Sequence, residues 1–209
     1  MPTEIERFSQ ALREHAVDFA VQLTERDLQR LSTYYSLLRK WNPRLHLVAP
    51  CTPEEFATRH VLESLILMLH LPHAARVTDV GTGAGLPMIP CLIMRDDLRA
   101  TLIESSQKKA VFLQEAFRQL TNAEPPRLLV ARFEETSAPA SDVVTCRAID
   151  SFQKILPRLI EWAPLSTTFM LFAGPALREQ IERVLPSAQA ELIPGSEQRF
   201  LIIARRIES

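Results

Sequence analysis

Three of the chain's five glycines fall within one short run, Asp79-Val80-Gly81-Thr82-Gly83-Ala84-Gly85-Leu86-Pro87. Glycine lets a backbone pass close to a ligand, and free amides at a helix start favour a ligand's polar groups. An ordinary tight turn is the plain alternative, but a glycine-poor chain has little reason to place three glycines in one. The run lies where an apolar stretch of strand character gives way to a helical one. A nucleotide-like cofactor is therefore expected at the carboxyl ends of the strands.

The spacing separates two ligand classes. A dinucleotide fingerprint is G-x-G-x-x-G, and its third glycine position is Leu86 here. The observed G-x-G-x-G is the form that methyltransferases use. With no diphosphate to neutralise, Asp79 is tolerable beside the sulfonium and amino group of S-adenosylmethionine. Glu104 follows Gly81 by 23 residues, near the roughly 20-residue offset at which an acid accepts hydrogen bonds from ribose hydroxyls. Taken alone it would equally be a solvated strand-end glutamate. Phe133 and Glu134 fall at the end of a third apolar run, where an adenine ring and its amino group bind. The expected cofactor set is Asp79, Gly81, Thr82, Gly83, Gly85, Leu86, Glu104, Ser105, Phe133, Glu134 and Arg147.

These groups need elements to position them. From residue 76 onward, short apolar runs alternate with amphipathic stretches, the signature of βαβ units. Strands are expected at 76–80, 99–104, 127–133, 142–147, 167–173, 190–194 and 200–206, with helices at 86–94, 107–120, 151–162 and 175–185. Gly195 and Ser196 join the last two strands without a helix, which predicts an antiparallel pair. The fold class is then α/β: a Rossmann-like class I methyltransferase with a seven-stranded, mostly parallel sheet whose last strand is antiparallel. Upstream, Thr24 with Asp27, and Thr52 with Pro53 and Glu55, have the spacing of helix starts. Residues 1–72 read as an N-terminal helical cap and 73–209 as the cofactor-binding domain, packed as one unit.

Composition narrows the setting. Lys+Arg number 24 against Asp+Glu 25, so total charge does not mark a nucleic-acid partner. Cys51, Cys91 and Cys146 show no metal or disulfide spacing and read as reduced thiols. No metal is expected, since His60 has no second ligand at a suitable interval. The charged N-terminus lacks a signal-peptide core, and 61–71 is too short to span a bilayer. A cytoplasmic protein with no membrane contact is expected, and a monomer.

Further motifs carry a resemblance. Trp41-Asn42, Arg59-His60-x-x-Glu63-Ser64, the turn with its extension from Gly85 to Pro90, Lys108-Lys109 and Thr145-Cys146-Arg147-Ala148 resemble motifs of the RsmG (GidB) family. That family methylates guanine N7 in small-subunit (16S) rRNA. The resemblance implies S-adenosylmethionine as cofactor and small-subunit rRNA or the 30S subunit as partner. It implies Arg147, Arg59 and His60 as catalytic groups, and Lys108, Lys109 and Arg199 as RNA contacts. The plain alternatives are a helix-face pair for Arg59-His60, a strand-end salt bridge for Arg147 and a solvated helix for the lysines. The chain departs from the family pattern at Glu63, at His46-Leu47-Val48, at Ala173-Gly174 (usually Lys-Gly) and at Arg199-Phe200 (usually Arg-His). Two other readings stay open: the near-zero net charge suits a methyltransferase for another RNA or a small molecule, and Ala173 with Phe200 an inactive cofactor-binding paralogue. An NAD-dependent oxidoreductase is the remote third.

Overall fold

A computed structural model describes residues 1–120, 125–147 and 152–205. Contacts group these residues into two units that interleave along the chain. Unit 1 comprises Met1–His70, Gly83–Asp96 and Ser106–Pro126, and unit 2 comprises Leu71–Thr82, Asp97–Ser105 and Arg127–Ser209.

Unit 1 is helical: α1 (Glu4–His15), α2 (Glu25–Leu45), a composite helix α3 over residues 53–69, α4 (Met88–Met94) and α5 (Gln107–Leu120). The starts of α1, α2 and α3 are closed by reciprocal capping boxes, Thr3 with Glu6, Thr24 with Asp27 and Thr52 with Glu55. Each hydroxyl accepts from an amide that has no helical partner, and each carboxylate accepts from the cap residue's own amide. Within α3 the hydrogen bonds slip to π spacing over Phe56–Leu62, a stretch that includes Arg59 and His60. Phe8 stacks on Tyr35 at 4.4 Å, and both pack against Phe56. The Arg30 guanidinium donates to the carbonyl of Ile93 at 2.6 Å and to that of Leu120. These carbonyls lie at the carboxyl ends of α4 and α5, where oxygens lack helical donors and a cation is favoured.

Unit 2 holds the whole sheet: β1 (Arg76–Val80), β2 (Arg99–Ile103), β3 (Arg127–Leu129), β4 (Val143–Cys146), β5 (Thr168–Ala173), β6 (Gln189–Leu192) and β7 (Phe200–Arg205). Its order is β3-β2-β1-β4-β5-β7-β6. The first five strands are parallel, and β7 runs antiparallel to both β5 and β6. This is the mostly parallel, seven-stranded arrangement expected from the alternating pattern. Helices α6 (Phe152–Trp162) and α7 (Pro175–Val184) bury Leu156, Leu159 and Ile181 with Val144, Phe169, Leu171 and Ile202 from one face of the sheet. At the sheet's other end, Arg76 grips Asp142 through its backbone amide and guanidinium, holding that carboxyl at about 2. No helix among the described residues is long and apolar enough to cross a membrane.

The expected third strand is shorter than its apolar run. β3 ends at Leu129, and Phe133 opens a 3-10 turn, Phe133–Glu135, instead of closing the strand. Residues 130–132 are partly exposed, so the apolar pattern continues where a pairing partner does not. The helix expected from Leu86 begins at Met88, after Pro87. Ala148, Ser151 and Arg206, which figured in expected motifs or element ends, lie outside the described residues.

Candidate functional site

Strand β1 delivers Asp79 and Val80 to the carboxyl end of the sheet, and the chain then turns through Gly81, Gly83 and Gly85. All three have positive φ, of 71°, 55° and 84°, a region that side chains with a Cβ rarely occupy. At Gly85 packing adds a second demand, since a Cβ would lie 2.1 Å from the Ile89 Cδ1 atom. The amides of Gly81 and Thr82 both donate to the carbonyl of Ile103, at 2.9 and 3.2 Å, which ties the start of the turn to the end of β2.

In unit 2 the structure gathers Gly81, Ser105, Phe133 and Glu134 around one cleft of about 380 Å³, within the size range of small-ligand sites. Sequence reasoning missed Val80, Ile103, Ala131, Arg132 and Ile155, which complete its walls. The apolar character of Ile155 was legible, but not the cleft it faces. Phe133 is held edge-on by Trp162 at 5.4 Å, and the Trp162 indole donates to the Thr136 carbonyl at 2.8 Å. Glu104 directly follows β2, is 7% exposed, and its amide donates to the Leu129 carbonyl at 3.0 Å. Ser105 beside it is exposed.

The polar groups buried in the strands contrast with those at the turn. Thr78 pairs with Ser141 at 2.6 Å, and Thr145 donates to the Met170 carbonyl at 2.8 Å. Asp79, fully buried, has neither carboxyl oxygen hydrogen-bonded among the described residues, and the buried Thr82 hydroxyl is likewise unpartnered. Buried polar groups are nearly always satisfied, so such exceptions at a turn mark a place built for something else. Burial pushes the Asp79 carboxyl up to about 8. Glu104 nearby adds to the rise, while Thr82 and the positive charge of Arg147 oppose it.

A stability prediction follows from that buried acid. The folded chain keeps a proton on Asp79 that the unfolded chain, with an ordinary value of 3.8, releases. Between pH 4 and 8 the unfolded state therefore binds fewer protons, and this group makes folding less favourable as pH rises. Asp79→Asn in the ligand-free protein is expected to remove that slope, stabilising the fold at pH 8 by on the order of a few kcal/mol and by little near pH 4. Melting temperatures of both proteins across this range check it; parallel curves would contradict it.

Arg147 directly follows β4, is half-buried, and its guanidinium lies over the Phe172 ring, 5.0 Å from the centroid. Arg199 precedes β7, in a turn where its amide donates to the Ser196 hydroxyl at 3.0 Å. Arg59, His60, Lys108 and Lys109 belong to unit 1. Arg59 is exposed and His60 half-buried, its ring 5.2 Å from that of Phe56. Lys108 and Lys109 open α5, the first exposed and the second half-buried. Asn42 bonds reciprocally to the backbone of Val48, at 3.1 and 2.9 Å, so it shapes the loop after α2. Among the described residues, no group of three or more His, Cys, Asp or Glu is arranged to hold a metal ion.

Comparison with known proteins bears on the family and the fold. Residues 27–196 match the GidB family, described as rRNA small subunit methyltransferase G. A Ribosomal RNA small subunit methyltransferase G from Pelotomaculum thermopropionicum is 30% identical, over 95% of this chain and 90% of that protein. Its counterpart from Neisseria meningitidis serogroup B is 29% identical, over 93% of this chain and 97% of its own. Among solved structures, magnesium protoporphyrin IX methyltransferase from Synechocystis, determined with bound SAM, superposes with a TM-score of 0.52 at 12% identity, covering 99% of both chains. That likeness shows the class I methyltransferase fold. With the glycine turn, the sheet order and a family match over most of its length, the chain belongs to the GidB family of small-subunit rRNA methyltransferases.

Proposed function

We propose that the protein transfers a methyl group from S-adenosylmethionine to N7 of a guanine in small-subunit (16S) rRNA. The observation that carries this reading is Asp79, a buried carboxyl at the glycine turn whose oxygens have no hydrogen-bond partner among the described residues. A buried acid without a partner must either keep a proton or meet a cation. A sulfonium ligand that also carries an ammonium group provides that cation. The cleft fits the rest of such a ligand, with Phe133, Ile155 and Val80 as apolar walls for a flat base and Ser105 and Glu134 as polar groups. The nearly buried Glu104 is assigned to accept from the ribose hydroxyls, and Gly81, Thr82, Gly83, Gly85 and Leu86 are assigned to offer backbone for close approach.

Bound S-adenosylmethionine supplies an electrophilic methyl group. Guanine N7 carries an in-plane lone pair and no proton that must leave before it attacks, so neither a general base nor a metal is called for. The chain's task is then positioning, which can account for a large part of a rate enhancement. Arg147 is assigned to hold the base or an adjoining phosphate, because a guanidinium donates in fork geometry to an acceptor such as guanine O6. Arg59 and His60 are assigned to the same task from the cap, and Lys108, Lys109 and Arg199 to the RNA backbone. On this reading the protein acts as a cytoplasmic monomer.

Incubation with unmodified small-subunit rRNA, or with small subunits, and methyl-labelled cofactor tests the proposal. Nucleoside mass spectrometry is expected to find 7-methylguanosine. RNA binding is expected to weaken steeply with salt. Label entering a small molecule, or no acceptor at all while the cofactor still binds, would overturn the assignment.

A further inference from the structure

Tyr34 sits on α2, fifty residues before the glycine turn, and is fully buried. Its hydroxyl donates to the carbonyl of Ala84 at 2.8 Å. Ala84 lies between Gly83 and Gly85, both in the left-handed region. Such a stretch is the most conformationally free kind of backbone, so holding one shape costs it the most entropy. A restraint on the peptide between two such glycines therefore acts where it has the greatest effect. The Tyr34 ring is itself fixed, packed against Phe56 at 6.2 Å. Phenylalanine would fill the same space without a polar atom to satisfy, so bulk alone does not explain a tyrosine here.

We infer that Tyr34 is a positioning residue for the cofactor turn, its hydroxyl holding the Ala84 peptide in the ligand-ready shape before any ligand arrives. The inference rests on the reading that this turn holds S-adenosylmethionine. Preorganisation removes an ordering cost from binding, so loss of the anchor weakens cofactor affinity and leaves the chemical step alone.

Tyr34→Phe deletes a single oxygen, and titration calorimetry with S-adenosylmethionine is expected to show Kd weakened about 5- to 10-fold, the size of one hydrogen bond. Turnover at saturating cofactor should stay within about twofold of wild type. In the ligand-free variant, amide hydrogen exchange should speed up over residues 83–89 and not elsewhere in the sheet or helices. Tyr35→Phe is the control. Its hydroxyl makes no hydrogen bond among the described residues and its ring stacks on Phe8, so its removal should leave Kd unchanged. A Tyr34→Phe protein that melts lower yet binds cofactor as wild type does, with wild-type exchange at the turn, would reduce Tyr34 to core packing and overturn the inference. If the wild type itself fails to bind the cofactor, the functional reading falls, and the exchange measurement still decides whether the anchor exists.

Discussion

Arg147→Ala is expected to lower methylation of small-subunit rRNA by about 10²- to 10³-fold, the range seen when one preorganised donor is removed from a reacting centre. Cofactor affinity should change no more than a few-fold. The asymmetry follows from where the guanidinium lies. It rests on the Phe172 ring and is not among the residues lining the cleft that holds Phe133 and Glu134. Toward the cofactor side it contributes a positive charge that lowers the Asp79 carboxyl. Arg147→Lys should recover little, because an ammonium keeps the charge but neither the planar fork nor the full stacking on Phe172. Steady-state kinetics and calorimetry on the same preparations separate the two effects. Equal loss of turnover and cofactor binding would remove Arg147 from the substrate side.

Glu104→Gln is expected to act in the opposite sense, weakening cofactor binding by on the order of 10²-fold, because hydrogen bonds to a charged acceptor contribute about 1.5–3 kcal/mol each. The amide keeps the volume of a side chain that is only 7% exposed, so the fold should survive. A second readout comes from Asp79, whose carboxyl is held up partly by the neighbouring Glu104 charge. Neutralising Glu104 should move the pH window of Asp79-linked stability to lower values. Unchanged affinity with a shifted window would show that Glu104 shapes the local field but does not touch the ligand.

Much of this arrangement is legible in the chain because its causes are local. The glycine turn announces itself through three residues that must take positive φ, and the starts of α2 and α3 through Thr24 with Asp27 and Thr52 with Glu55. The same logic would have found α1, since Thr3 and Glu6 have identical spacing. The alternation of apolar runs and amphipathic stretches carries the sheet, and Gly195-Ser196 its antiparallel end.

What escaped reading depends on partners remote in sequence. β3 stops at Leu129 because it pairs only with β2, at the sheet's edge, and an apolar run cannot report how far its neighbour extends. The π slip across Arg59 and His60 is a choice of hydrogen-bond register that composition does not encode. Asp79 was legible as an acid at the turn, but its complete burial was not, and burial is what lifts its carboxyl to about 8. Nothing local in the chain indicates that the Tyr34 hydroxyl meets Ala84.

The Arg30 contacts have a consequence for how this protein can be divided. One guanidinium on α2 supplies donors to the closing carbonyls of α4 and α5, the two helices that link the first three strands in the chain. A polypeptide trimmed to begin at the first strand would leave both helix ends unsealed and would be an incomplete fold, not a smaller enzyme. Grafting a different helical module upstream would have to carry an equivalent of Arg30 with it. The interleaving of the two units along the chain thus makes this architecture resistant to cut-and-paste recombination, whether by evolution or by an engineer.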